Sequence, residues 1–294
     1  MGTGNPAISI NCTLALISTL ALIRPCEGDK RFRRDASQEI VLDMAASSYD
    51  DRYLECTEAM DSKIPGILHD EQTSNEEFAI AWEDATDEWQ NRKGDTEIPP
   101  GFKDEYAISI LAYTNDNPDI YRSFNAAVRQ AGQSRDFYLN NFHFKALHYY
   151  LARVLQLLRE STPQDYSVYR GVNGFTSSST DENKTLKFGN DTFFTITTGY
   201  GVTISEFSFF DSETEVLIPP FEKFTVTDFS TESNKNKITL QSNGIYSKYN
   251  CVLLEKTGKV QLRITACVFA PPLHKSLALT SCSYLPLKLP WAPE

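Results

Sequence analysis

Three short segments in the second half of this 294-residue chain carry residues that could bind and cleave one ligand. They are Val168–Gly171, Phe175–Ser179 and Glu213–Pro220, and they supply an arginine, a run of serines and two carboxylates. Each lies beside aromatic and β-branched residues, which indicates the end or edge of a β-strand. A fixed cation, hydroxyl groups and two carboxylates suit a dinucleotide, which carries phosphates, riboses and a bond that breaks through a cationic transition state.

The two carboxylates predict two separate roles in one reaction. Glu213 and Glu215 are two residues apart, so extended backbone between them would point both side chains to one side. One carboxylate beside a ribose can stabilise an oxocarbenium-like cation, as in glycoside hydrolysis. The other can orient and partly deprotonate a nucleophile that attacks this cation. The apolar run 216–220 that follows distinguishes this pair from a solvated acidic turn, which is the ordinary interpretation of two nearby acids.

The arginine and serine segments predict the rest of a nucleotide site. Arg170 can pair with a pyrophosphate through its planar guanidinium, although a surface ion pair is the commoner role of a lone arginine. Gly171 permits close backbone approach, so its N–H and C=O can hydrogen-bond a polar group of the ligand. Ser177 and Ser179 can hydrogen-bond Glu215 and a ribose, and otherwise they are ordinary polar residues of an edge strand.

The elements that must position these residues change in type near position 163. Before it, apolar residues recur at helical spacing and predict helices around 78–89, 107–113, 121–131 and 142–158. After it, short alternating segments predict strands at 166–169, 192–198, 202–209, 215–218, 223–228, 237–241 and 261–269. Helices followed by strands indicate an α+β fold, and no G-x-G-x-x-G motif supports a Rossmann site.

Composition excludes several classes of protein. The chain is 41% hydrophobic and 12% aromatic, which indicates a packed domain rather than disorder. Its net charge of −11 argues against a nucleic-acid partner, because polyanion binding needs a basic surface. The six cysteines form no C-x-x-C pair and have no histidine at metal spacing, so no metal is expected. His143 and His148 are expected to be packed or surface residues rather than ligands.

The N-terminal segment predicts entry into the secretory pathway. Residues 8–23 are apolar apart from Asn11 and small hydroxyls, which is typical of a signal peptide over 1–28 and short for a membrane span. Asn183 and Asn190 begin glycosylation sequons. Residues 256–294 form a C-terminal extension whose apolar pattern is interrupted. A secreted or cell-surface protein is therefore expected, with the membrane contacted only through an atypical lipid anchor.

The order and flanks of the three segments resemble the Arg–Ser–Glu-x-Glu signature of the mono-ADP-ribosyltransferases, particularly the vertebrate ecto-enzymes. Further similar segments extend the resemblance over about 41–251; they are Val41–Ala45, Tyr49–Cys56, Ala81–Trp82, Phe142–Leu151, Leu155–Leu158 and Tyr249–Cys251. The resemblance implies a domain at 41–255, with a helical lobe over about 41–163 and a β-rich, two-sheet NAD-binding core over about 164–255. It also implies NAD as co-substrate and extracellular proteins with accessible arginine as acceptors, a specificity marked by Glu213.

Two features of the β-rich half depart from the family pattern. The segment between Arg170 and Ser177 is shorter than in the family, which predicts weaker NAD binding. A second family disulfide is absent at both ends, because Thr198–Gly201 contains no cysteine and none lies between 57 and 250. The resemblance implies that Cys56 and Cys251 form the other family disulfide, and it leaves the pairing of the cysteines at 267 and 282 open.

Transfer of ADP-ribose from NAD to arginine is therefore the leading prediction, and two other functions stay open at this point. The short segment after Arg170 favours a catalytically silent, secreted binding protein of the same fold. An NAD glycohydrolase, in which water replaces arginine, is the other alternative. Glu213 argues against hydrolysis, because that carboxylate would hold the acceptor guanidinium.

Overall fold

The structure is a computed structural model that describes residues 43–161, 164–172, 178–181, 192–210, 214–232 and 235–255, and the backbone of 287–288. Its helices are α1 Thr57–Ser74, α2 Glu76–Arg92, α3 Asp104–Thr114, α4 Ile120–Ala131, α5 Arg135–Asn141 and α6 Lys145–Ser161. Its strands are β1 Tyr166–Val172, β2 Ser178–Ser179, β3 Thr192–Thr198, β4 Val202–Thr203, β5 Glu215–Leu217, β6 Glu222–Glu232, β7 Lys235–Ile245 and β8 Leu287–Lys288. The predicted α+β fold is confirmed.

Helix α2 shows how local sequence sets the helices. The Asn75 side chain accepts a hydrogen bond from the backbone N–H of Phe78 and caps the helix, and two glutamates in the first turn favour its N-terminal dipole. Its buried side chains recur at helical spacing; they are Phe78, Ala81, Trp82, Ala85 and Trp89. The helix around 78–89 was predicted from this stripe.

Helix α6 begins three residues later than predicted. The Glu71 carboxylate of α1 accepts hydrogen bonds from the backbone N–H groups of Lys145 and Ala146, at 2.8 and 3.0 Å. This side chain supplies the acceptors that the first turn of α6 needs. His143 therefore lies before the helix and is exposed, whereas His148 lies within it and is fully buried.

A buried polar network joins the two ends of the domain. The carboxylate of Asp51 accepts hydrogen bonds from the backbone N–H groups of Tyr53, Cys251 and Val252 at 2.8–2.9 Å, and from the Tyr49 hydroxyl at 2.9 Å. Burial raises the pKa of Asp51, and these bonds oppose the shift. The structure also joins Cys56 to Cys251 in a disulfide across 195 residues of sequence, the pair that the resemblance implied.

The strands form one continuous hydrogen-bonded sheet of mixed direction, with the order β4-β5-β2-β1-β3-β7-β6-β8. Pairing is parallel between β3 and β7 and antiparallel at the other junctions. The implied division into two sheets is not seen, because β1 pairs with β2 on one edge and with β3 on the other, and so joins the two halves.

One strand prediction is wrong. The segment 202–209 pairs only at Val202–Thr203 and then forms a 3₁₀ helix at Ser205–Phe207. The buried side chains of Ile204 and Phe207 are three residues apart, which fits a helical turn better than the alternation of a strand. The predicted strand at 261–269 and the predicted signal peptide lie outside the described residues.

Two helices were not predicted. Helix α1 buries only Met60, Ile64 and Glu71 and contains Pro65, so its sequence lacks a clear apolar stripe. Helix α5 has seven residues, too few to show a helical period. No described helix combines the length and the apolar character that a membrane crossing requires.

The burial of His148 predicts acid sensitivity. Its Nδ1 lies 2.8 Å from the Tyr53 hydroxyl, and burial lowers the pKa of His148 to about 3. An unfolded histidine binds a proton below about pH 6.5, so this group's contribution to stability is full above that pH and is lost as pH falls toward the folded pKa. Between pH 7.5 and 5 the loss is about 2 kcal/mol.

Replacing His148→Gln keeps an amide that can hydrogen-bond Tyr53 but removes the titration. We expect the free energy of unfolding of this variant, measured in urea, to fall between pH 7.5 and 5 by about 2 kcal/mol less than that of the parent. The exposed His143→Gln is the matched control and should behave as the parent. Equal pH dependence in His148→Gln and the parent would contradict this assignment.

Candidate active site

The sheet register brings the arginine, serine and glutamate segments together. Tyr169 of β1 pairs with Ser179 of β2, and Ser179 pairs with Glu215 of β5. Two strand-to-strand steps of about 4.8 Å place the backbone next to Arg170 about 10 Å from that of Glu215. Three segments that are separate in sequence therefore lie within the span of one nucleotide.

Arg170 is held by the helical lobe. It lies two residues after the fully buried Val168, so alternation directs both side chains to the face that packs on Tyr121 of α4. The Nη2 atom of Arg170 lies 3.5 Å from the Tyr121 hydroxyl oxygen, to which it donates. The Tyr121 ring packs edge-on against Tyr113 with their centroids 5.2 Å apart.

The Arg170 cation and the Glu215 carboxylate both influence the pKa of the Tyr121 hydroxyl. Burial raises the pKa of Tyr121; the Arg170 guanidinium opposes the shift and the Glu215 carboxylate adds to it. Burial also raises the pKa of Tyr113, and the same two charges act on it with the same signs. Both tyrosines therefore stay protonated as neutral hydroxyls.

Glu215 is buried rather than part of an exposed acidic loop, with 5% of its surface accessible. Its Oε2 accepts a hydrogen bond of 3.1 Å from the hydroxyl of Ser208, a residue that is itself fully buried. Ser208 was missed in the sequence because 202–209 was predicted as a strand. The signal that could have found it is a polar residue between the apolar Phe207 and Phe209.

The loop that carries Ser208 is fixed by helices of the other lobe. Arg92 of α2 donates from Nη1 to the Ser208 carbonyl oxygen at 2.7 Å. Thr114 at the end of α3 accepts at 3.2 Å from the backbone N–H of Phe209. The position of the Glu215 carboxylate therefore depends on contacts between the helical lobe and the sheet.

The serines of β2 mainly hold the backbone around Glu215. Ser178 donates to the carbonyl oxygen of Val216 at 2.8 Å, and the hydroxyls of Ser179 and Thr214 are 3.3 Å apart. Ser179 pairs with Glu215 across the two strands and is buried. Ser177 and the segment 173–177 lie outside the described residues.

The backbone between Glu213 and Glu215 was predicted to be extended, and at Thr214 it is not. Thr214, between them, has φ +50°, in the left-handed region. The alternation of a strand does not apply across such a residue. Glu213 itself lies outside the described residues, as do the sequon residues Asn183 and Asn190.

Gly171 lies inside β1 rather than beyond its end. The strand was predicted to finish at Tyr169, but it continues through Arg170 and Gly171 to Val172, with Gly171 opposite Phe193 of β3. The extension follows from β3, which offers a full-length antiparallel partner over Tyr166–Val172. The described pairing with β2 involves Tyr169 alone.

Hydrogen bonds fix the turn in which the family disulfide is missing. Glu222 accepts from the Thr198 hydroxyl at 2.6 Å and from the backbone N–H of Gly199 at 2.8 Å, and Thr198 Oγ1 accepts from the N–H of Gly201 at 2.7 Å. A Cβ atom at Gly201 would lie 2.7 Å from Thr198 Cγ2, so the turn requires glycine there. Burial raises the pKa of Glu222, and hydrogen bonds from Ser242 and Thr198 oppose the shift.

The arrangement suits cleavage of a glycosidic bond. A buried carboxylate can stabilise a developing sugar cation, and a guanidinium carried by a strand two steps away in the same sheet can bind a phosphate of the same ligand. Within the described ranges, no group of three or more histidine, cysteine, aspartate or glutamate residues could hold a metal ion.

Comparison with known proteins gives the same reaction class. Residues 42–248 match the family model "NAD:arginine ADP-ribosyltransferase". The chain is 42% identical over 234 residues to NAD(P)(+)–arginine ADP-ribosyltransferase 2 of Gallus gallus, covering 74% of this chain and 75% of that one. It is 35% identical over 287 residues to ecto-ADP-ribosyltransferase 5 of Bos taurus, covering 89% of each.

The fold is also shared with solved structures. The crystal structure of the eukaryotic mono-ADP-ribosyltransferase ART2.2 is 35% identical, with a TM-score of 0.62 over 71% of this chain and 97% of that chain. A mutant of the same enzyme in complex with NAD has a TM-score of 0.61 at 34% identity, with the same coverage of both chains.

Proposed function

This chain belongs to the NAD:arginine ADP-ribosyltransferase family, and we propose that Glu215 and Arg170 are the centre of a site that transfers ADP-ribose from NAD to arginine side chains of proteins. The observation that carries the proposal is the register of β1, β2 and β5, which places Glu215 opposite Ser179 and one residue row from Arg170. The chain is an enzyme whose co-substrate is NAD.

Each residue has a separate task in the proposed mechanism. Glu215 stabilises the positive charge that develops on the nicotinamide ribose as the C–N bond breaks and its electron pair leaves with nicotinamide. Arg170 binds the pyrophosphate and holds the ribose against Glu215. Ser179 and Ser177 hydrogen-bond the ribose, and the backbone of Gly171 holds the nicotinamide carboxamide.

Glu213 acts on the acceptor. Its carboxylate holds the incoming guanidinium, whose nitrogen attacks the ribose carbon while one proton passes to Glu213 and then to solvent. Water would replace the guanidinium only if that carboxylate failed to retain the acceptor. This task is what separates a transferase from an NAD glycohydrolase.

The acceptors are proposed to be extracellular or cell-surface proteins with accessible arginine. One relative is named an ecto-enzyme, and GPI-linked NAD(P)(+)–arginine ADP-ribosyltransferase 1 of Homo sapiens is 40% identical over 250 residues. The protein is secreted or lies on the outer cell surface. We propose a signal peptide at 1–28, a transferase domain at 41–255 and glycosylation of Asn183 and Asn190.

Substituting the two glutamates separately should distinguish the cleavage of NAD from the transfer of ADP-ribose to the acceptor. Glu215→Gln should lower both nicotinamide release and modification of agmatine by about 100- to 1000-fold, because the sugar cation loses its counter-charge. Glu213→Gln should lose agmatine modification by a similar factor but keep nicotinamide release. Both products are measured in the same reaction on the secreted chain.

The exposed Glu206→Gln is the matched control, and it should keep both rates. Modification of agmatine at the parent rate by Glu213→Gln would show that the acceptor role is wrongly assigned. Absence of nicotinamide release in the parent itself would favour the silent binding protein.

Removing the Ser208 hydroxyl should lower the rate constant without weakening NAD binding. A hydrogen bond to a charged group contributes about 1.5–3 kcal/mol, so Ser208→Ala should lower kcat for nicotinamide release by at least about tenfold. KM for NAD should change little, because Ser208 acts through Glu215. Ser208→Thr, which keeps the hydroxyl, should restore most of the rate.

Ser205→Ala is the matched control. It removes a hydroxyl of the same loop that lies 3.4 Å from the Thr203 hydroxyl, and it should leave kcat and KM unchanged. A change confined to KM in Ser208→Ala would contradict the positioning role.

A further inference from the structure

A pocket of about 120 Å³ lies away from Glu215, between α6 and the chain that follows β5. Its walls include Arg52, Arg159, Tyr200 and Phe221. Phe221 follows Glu215 by six residues, so the pocket lies beyond the opposite end of β5. The pocket is about four times the volume that one water molecule occupies in the liquid, roughly 30 Å³.

The backbone from which the Arg52 side chain reaches this pocket is held in place by its neighbours. The residues before and after it, Asp51 and Tyr53, are fully buried and hydrogen-bonded to each other. The carbonyl oxygen of Arg52 accepts a hydrogen bond of 2.9 Å from Gln156 Nε2 on α6. The side chain of Arg52 is therefore directed from a rigid segment and cannot move away as a whole.

The guanidinium of Arg52 is half-buried and forms no ion pair with a carboxylate of the described residues. It lies over the ring of Phe221, with Cζ 5.2 Å from the ring centroid. Its Nε is buried and has no hydrogen-bond acceptor among the residues that the structure describes. Burial lowers the pKa of Arg52, and the Tyr200 hydroxyl is the group that opposes the shift.

A second guanidinium lies in the same pocket. Arg159 is one helical turn after Gln156, and its side chain is 22% exposed. Its Nη2 lies 3.2 Å from the carboxylate of the largely exposed Asp165, so its charge is partly balanced. Glu160 is at the exposed rim. Arg52 is thus the cation that most needs an anion, and Arg159 and Tyr200 offer further donors beside it.

We propose that this pocket binds a phosphate group, with Arg52 as its main ligand and Arg159 and Tyr200 completing it. A tetrahedral oxyanion presents oxygens in several directions, as donors on three separate chain segments require, and arginine matches phosphate geometry. The Phe221 ring lies on one side of the guanidinium and leaves its other sides for the anion. The phosphate can be the free ion or a phosphorylated residue of a protein.

Calorimetric titration of the full secreted chain tests the site, with inorganic phosphate, a phosphoserine peptide and chloride at matched ionic strength. We expect phosphate to bind and chloride not to bind. Arg52→Gln should lower phosphate affinity by at least about tenfold. The affinity of Arg52→Lys should lie between those of the parent and Arg52→Gln, because lysine keeps the charge but loses the planar fork. Tighter binding of the peptide identifies a phosphoprotein, and tighter binding of inorganic phosphate identifies the free ion.

Two control variants test whether phosphate binds in this pocket or at arginines elsewhere on the protein. Arg170→Gln, in the catalytic site, should keep the phosphate affinity of the pocket. Arg122→Gln removes a guanidinium whose side chain is 68% exposed, and it should also change nothing. Phosphate binding that is lost in Arg170→Gln, or that survives unchanged in Arg52→Gln, would overturn the proposal.

Thermal unfolding distinguishes a binding role from a packing role for Arg52. In phosphate-free buffer, Arg52→Gln should unfold at the same or a higher temperature than the parent, because an uncompensated, half-buried cation is removed. Added phosphate should raise the unfolding temperature of the parent and not that of the variant. A lower unfolding temperature in Arg52→Gln, with the phosphate effect retained, would show that the arginine only packs on Phe221.

Discussion

A buried carboxylate at the first residue of β5 is the constraint on which the active site depends. Glu215 is 5% exposed, and a charge removed from water is costly unless donors surround it. The hydroxyl of Ser208 supplies one such donor at 3.1 Å. Because Arg92 bonds the Ser208 carbonyl and Thr114 bonds the backbone N–H of the next residue, Phe209, the helical lobe helps to position the catalytic group of the sheet.

Further contacts join the two ends of the domain and hold the helical lobe against the sheet. Asp50 accepts hydrogen bonds from the backbone N–H groups of Lys248 and Tyr249, and the Asn250 side chain bonds both backbone groups of Leu54. With the Cys56–Cys251 disulfide, these contacts fix the helical lobe to the chain that leaves β7. A lobe that could rotate against the sheet would move Arg92 relative to Ser208.

The sequence predicted those parts of the fold in which periodicity and burial agree. Strand β3 at 192–198 and the stripe of α2 were predicted because each alternates or recurs over a full element. The start of α6 was misplaced because its cap, Glu71, is 74 residues away in sequence. Contacts of that kind leave no local signal.

The site could be predicted only as far as residue types allow. Arg170, Ser179 and Glu215 were identified from their order, and the register of β1, β2 and β5 explains why they meet. Ser208 was missed, since its role requires a turn that brings a residue seven positions earlier back to Glu215. Likewise, the alternation of side chains along a strand could not predict the left-handed backbone of Thr214.

A crystal structure of the Glu215→Gln variant with NAD tests the central claim, that one ligand lies across β1, β2 and β5, most directly. The account predicts the nicotinamide ribose within hydrogen-bonding distance of residue 215, the pyrophosphate on Arg170, and Ser208 still bonded to Arg92 through its carbonyl. NAD bound elsewhere, or a site that stays empty at saturating NAD, would contradict it.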